Sequence, residues 1–128
     1  MSVSRYISRF EKETAPEGHN GTILAGNVLP KGLIAPFGDA WGYLEGVAMM
    51  EAHAHPTDEV YLVVSGKGYC HVDSERFEVK PGDVVEIPPN TTHTMECEDG
   101  ETLLWAAFWW DHIRKNGDSY GIAGNYDQ

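Results

Sequence analysis

Positive charge is scarce in this chain. Its 128 residues hold nine Lys plus Arg against twenty Asp plus Glu, a formal net charge of −11 at pH 7. A phosphate-binding surface needs an excess of basic residues, so nucleic acid is not an expected partner. An anionic membrane surface is set aside on the same ground. Long apolar runs are missing too. The longest, residues 103–110, is far short of a membrane span. The opening stretch MSVSRYISRF lacks the apolar core that a signal peptide requires, so the expected compartment is the cytoplasm. Cysteine is limited to Cys70 and Cys97. Thiols so far apart exclude a zinc ribbon or a thioredoxin-type pair, and both are expected to be reduced and mostly buried. Helical periodicity is also absent, since no long window carries a clean 3.6-residue apolar repeat.

Short β-rich segments are what the chain has instead. Fourteen Gly and seven Pro punctuate it densely. Between them, residues 21–29, 42–54, 59–65, 68–72, 76–80, 83–87, 92–97 and 102–110 all read as strands. Turn signals such as Pro56-Thr57-Asp58, Gly66-Lys67-Gly68 and Pro81-Gly82 separate them. Residues 31–40 read as a loop. Many short strands at near-regular spacing predict an all-β sandwich or closed barrel. A single domain over residues 1–128 is expected, with an N-terminal arm (or short helix) at about 1–20 and a C-terminal tail at about 111–128. Residues 103–110 are apolar on both parities, as in a strand buried on both sides. One set (Leu103, Trp105, Ala107, Trp109) or the other (Leu104, Ala106, Phe108, Trp110) faces the interior. The remaining set suggests a homodimer interface.

Three of the six histidines form a chemically meaningful pattern. His53-Ala54-His55 ends a predicted strand, where residues i and i+2 point to one face. Glu59 opens the next strand after the Pro56 turn, and His93 follows the Pro88-Pro89-Asn90 bend. In a small barrel these four side chains can converge on one point. Three imidazoles and a carboxylate, with no thiolate, suit one divalent transition-metal ion per chain: Fe, Mn, Ni, Co, Cu or Zn. His19, His71 and His112 sit in no such pattern.

These residues resemble the cupin family. Its first motif is Gly, five residues, His-x-His, three or four residues, Glu, six residues, Gly. Here Gly46 is followed by six residues, His53-Ala54-His55, three residues, Glu59, six residues and Gly66. Its second motif is Gly, five residues, Pro-x-Gly, two residues, His, three residues, Asn. Here it reads Gly82, five residues, Pro88-Pro89-Asn90, two residues, His93, three residues, Cys97. The match covers residues 46–97 and implies a double-stranded β-helix (jelly-roll) barrel with short terminal extensions. The added residue after Gly46 predicts a bulge or a longer turn. Asn90 replaces a glycine and is the residue that best tolerates a positive φ there. Cys97 is either a core thiol or a thiol near the pocket.

Around the ligands, parity gives candidates only. Met49 and Glu51 share a face with His53. Glu51 is a partner to a ligand, a general base, or a solvated rim carboxylate. Tyr61 shares a face with Glu59 and either offers its hydroxyl to a bound molecule or packs in the core. The resemblance implies a metal-dependent enzyme acting on a small oxygen-rich metabolite, by lyase, isomerase, decarboxylase or dioxygenase chemistry. The alternative is a non-catalytic, metal-containing module that binds or senses a small ligand.

Overall fold

A computed structural model describes residues 4–111. His112 and the tail beyond it lie outside the described residues. Ten strands and no helix are found within them. They are β1 (Glu17–Gly18), β2 (Ile23–Leu24), β3 (Gly38–Glu45), β4 (Ala48–Met49), β5 (Thr57–Gly66), β6 (Gly68–Val72), β7 (Glu75–Val79), β8 (Val84–Ile87), β9 (His93–Cys97) and β10 (Thr102–Asp111). They form two antiparallel sheets, ordered β1-β2-β3-β10-β5-β8 and β4-β9-β6-β7. This is the all-β jelly roll that the motifs imply.

Alternation of side chains builds the barrel wall. On β3 and on the first part of β5, alternate residues are buried, which turns Leu44, Tyr61 and Val63 inward. β10 lies between β3 and β5 in the larger sheet. It is buried on its inner face but only half-buried on most of its outer face, not on both sides as its apolar pattern predicts. Leu103, Trp105, Ala107 and Trp109 face the interior, whereas Leu104, Phe108 and Trp110 lie half-buried on the outside. The smaller sheet adds Cys70, Val79, Met95 and Cys97 to the same core. Both cysteines are free and buried, and Cys97 is a core thiol. Burial raises the thiol pKa of both, that of Cys70 to about 12.

Gly38 and Gly42 are ladder positions rather than turn residues. They pair with Trp109 and Trp105 across the sheet. A Cβ on either would stand 2.2 Å from an indole carbon, so only glycine admits the ring. Gly42→Ala would overpack this wall at a cost of roughly 1–3 kcal/mol.

The structure corrects several expected boundaries. Of residues 21–29 only β2 is strand, because Gly21 (φ 79°) completes a turn and Gly26 (φ 128°) ends the pairing. The loop expected at 31–40 gives way to β3 at Gly38. The strand expected over 42–54 is broken. Gly46 turns at φ 70° with Val47 exposed, which accommodates the added residue as a turn. β4 then joins the smaller sheet, while β5 joins the larger one. Residues 50–56 cross between the sheets and pair with β9 only irregularly, through Met50 N to Met95 O and the isolated His53–His93 bridge. Pro56, without an N–H, suits the end of that crossing. Asn90 adopts φ 61°, as the missing glycine requires. Residues 4–16 form an arm without strand or helix, folded by turns at 5–6 and 12–14, and Phe10 packs on Trp41 and Tyr43 at ring distances of 6.1 and 5.2 Å.

Candidate metal centre

Glu59 enters the site from β5, with β10 and β8 hydrogen-bonded on either side. His93 begins β9 in the other sheet. His53 and His55 lie on the crossing segment. His53 exchanges two backbone hydrogen bonds with His93, at 3.2 and 2.9 Å. The His55 carbonyl accepts from Asn90 N at 2.7 Å. The crossing is thereby stapled across the barrel mouth, between the two sheets.

One ligand atom from each of His53, His55, Glu59 and His93 lies within 4.8 Å of the others. His55, Glu59 and His93 are buried, and His53 is partly exposed. Glu59 Oε1 lies 2.9 Å from His55 Nε2 and 3.2 Å from His93 Nε2. The outer nitrogens are engaged elsewhere. His53 Nδ1 donates to Glu51 O at 2.9 Å, and His93 Nδ1 donates to Thr91 O at 2.8 Å. His55 Nδ1 meets the Thr57 hydroxyl at 2.6 Å. A carbonyl can only accept, so His53 and His93 carry the proton on Nδ1 and turn the Nε2 lone pair inward.

This arrangement fits a cation. His53 Nε2, His93 Nε2 and Glu59 Oε2 are buried without a hydrogen-bond partner, which is costly unless something else satisfies them. An imidazole lone pair and a carboxylate oxygen 3.2 Å apart repel one another in dry surroundings unless a cation lies between. Burial lowers the pKa of His53 to about 4, so its ring is neutral at pH 7. Burial alone would raise the Glu59 pKa, but the adjacent His55 and His93 imidazoles outweigh it and keep the carboxyl below its usual range. Three nitrogens and one oxygen suit a borderline divalent transition metal.

A cavity of about 880 Å³ opens beside these ligands. Its wall includes Glu17, His19, Asn20, Glu51, His53 and His55. Glu51 is an exposed wall residue whose carboxylate accepts from Asn20 Nδ2 at 2.7 Å. Its main-chain carbonyl, rather than its carboxylate, supports a ligand. Tyr61 is fully buried, with its ring 5.8 Å from that of His93 and 5.7 Å from that of Trp105. Met49 is half-exposed. His71 is paired with Glu96, which also accepts from Arg76, and stands apart from the metal cluster.

Four contributors are not evident from sequence: His19, Asn20, Thr57 and Thr91. Thr57 and Thr91 each stand two residues from a ligand histidine, the one signal that points to them. His19 carries no motif at all.

Known proteins resemble this chain in part of its sequence and in its fold. An uncharacterised protein of Methanocaldococcus jannaschii is 47% identical over 45 residues, 34% of this chain and 36% of that one. The acireductone dioxygenases of Exiguobacterium sibiricum and Bacillus cytotoxicus are 29% identical over 63 residues and 32% identical over 59. These matches cover 45% and 42% of this chain, and 35% of each relative. The chain thus spans about a third of the length of the curated relatives it matches. Among solved structures, the plu4264 protein of Photorhabdus luminescens superposes with a TM-score of 0.71 at 25% identity, covering 87% of this chain and 89% of that one. A cupin 2 conserved barrel domain protein of Salinispora arenicola gives 0.72 at 23% identity, covering 87% and 91%. The family model of the cupin domain matches residues 41–110, more than half of the sequence, and the chain belongs to the cupin family.

Proposed function

We propose that this protein is a metal-dependent enzyme for a small oxygen-bearing metabolite, which binds through two neighbouring oxygens. The observation that carries the reading is the buried set of His53, His55, Glu59 and His93, beside a polar cavity large enough for a small ligand. A divalent ion held by His53, His55, Glu59 and His93 would supply Lewis acidity toward a carbonyl or enediolate, or reactivity toward dioxygen if it were iron(II). The chain's own groups do the rest. The barrel mouth excludes water from three of the four donors. In this reading Glu51, on the cavity wall, takes a proton from the substrate, and Tyr61 donates its hydroxyl from the interior. The local likeness to acireductone dioxygenases supports the oxygen-consuming branch.

A second reading is a non-catalytic metal-containing sensor or binding module. It is favoured by the Glu51 carboxylate being held by Asn20 instead of standing free as a base.

A substrate screen of the Fe(II)-, Mn(II)- and Ni(II)-loaded protein, followed by oxygen uptake and product analysis, separates the two. Turnover of a vicinal hydroxy- or keto-compound, lost in His55→Ala with the β-sheet spectrum intact, supports the enzyme. Saturable ligand binding without turnover selects the sensor. Turnover that survives His55→Ala would make the ion a bystander. The homodimer reading draws support from Leu62, Val64 and Val84, all exposed. Sedimentation equilibrium tests it, and a monomer at micromolar concentration would remove it.

A further inference from the structure

This inference rests on the metal-binding reading and concerns how one ligand is held. Glu59 and His93 stand in strands, and the His55 carbonyl is tied to Asn90. His53 stands in no strand, and its backbone is tied only to His93, by two hydrogen bonds. It sits on the crossing segment, partly exposed, with a single isolated bridge to His93.

The hairpin of β1 and β2 reaches it from the other end of the sequence. Its turn carries three successive left-handed residues, His19 (φ 49°), Asn20 (φ 58°) and Gly21 (φ 79°). Two of these are not glycine, and such backbone persists only where its surroundings over-determine it. Here the turn places three groups at once. The His19 ring stacks on the His53 ring, with centroids 4.0 Å apart and planes at 28°. Asn20 Nδ2 donates to Glu51 Oε2 at 2.7 Å. The Thr22 hydroxyl accepts from Glu51 N at 2.8 Å and donates to the His19 carbonyl. Glu51 is therefore clamped at both its main-chain N–H and its carboxylate. Its carbonyl is the acceptor that fixes the proton on His53 Nδ1. On its other side the His53 ring meets His93 edge-on at 4.2 Å.

We propose that the 19–22 turn is a positioning device for the metal ligand His53. His19 restrains the ring by stacking, and Asn20 and Thr22 fix the carbonyl that sets its tautomer. Groups that orient a ligand in this way typically contribute 10- to 100-fold to metal affinity.

Co(II) binding to the full chain tests the proposal, read by chelator competition and by the visible ligand-field bands of the ion. His19→Ala should weaken Co(II) about tenfold and change the bands. His19→Phe keeps a flat ring on the same backbone and should stay within about threefold of the wild type. Asn20→Gly tolerates the left-handed turn yet lacks the amide, and should also weaken binding and alter the bands. Unchanged affinity and bands in His19→Ala, or equal weakening in His19→Phe, would overturn the proposal. If His19→Ala fails to fold, wild-type binding by Asn20→Gly overturns it instead. A wild-type chain that binds no Co(II) would remove the metal reading, and this inference with it.

Discussion

The two sides of the candidate metal centre are built in different ways. Glu59 and His93 are held by sheet ladders, and His55 by a backbone tie to Asn90. All three are buried, at 1%, 1% and 8% exposure. His53 is partly exposed, is joined to β9 by one isolated bridge to His93, and leans on a strained turn from the N-terminal hairpin. A ladder fixes a donor through cooperative backbone bonds that pack deep in the core. A brace of side chains fixes a donor while leaving the adjacent space open. That difference explains why the cavity lies on the His53 side. The buried side supplies rigidity and charge, and the braced side supplies access.

The sharpest break of this contrast is at its buried charge. Glu59→Gln keeps the shape but removes the carboxylate that faces two imidazoles. Metal affinity should drop by more than about 100-fold, beyond what a supporting residue contributes. Calorimetry with Co(II) measures this, and a drop below tenfold would mean that the braced side dominates.

Thr57→Val removes the hydroxyl that meets His55 Nδ1 while conserving volume. It is the buried-side counterpart of the substitutions in the 19–22 turn. A loss of about tenfold is expected. No loss would show that packing alone aligns the buried histidine.

The smallest effect concerns acid. In the metal-free protein, burial lowers the His53 pKa to about 4. The unfolded chain takes up a proton near pH 6.5 that the folded chain refuses. Stability is therefore lost as pH falls from about 6.5 toward 4. The lowered Glu59 pKa adds a loss of the same sign at still lower pH. Between pH 6.5 and 5 the His53 share is about 1 kcal/mol once its partial exposure is discounted. Urea midpoints of the wild type and His53→Gln read it. Equal pH slopes in the two would contradict a His53 held neutral.

Much of this architecture was legible in the sequence. The spacing of His53, His55, Glu59 and His93 marked the donors, because a ligand set needs fixed residue types at fixed intervals. Residues 103–110 marked a central strand by their apolar run, although the outer face proves only half-buried. Three things were not legible. The break at 50–56 depends on which sheet each neighbour joins, a tertiary fact that Met50-Glu51-Ala52 does not encode. Gly38 falls in the expected loop and Gly42 opens an expected strand, yet the role of both is set by indoles across the sheet. His19 contacts a residue 34 positions away through a turn with no periodic pattern, so nothing local announces it.

The most direct test of the central claim is elemental analysis of the protein purified at neutral pH without added metal. The arrangement of imidazole lone pairs around Glu59 predicts about one transition-metal ion per chain, lost in Glu59→Gln. A folded, metal-free protein that also fails to take up Co(II), Ni(II) or Zn(II) would contradict it.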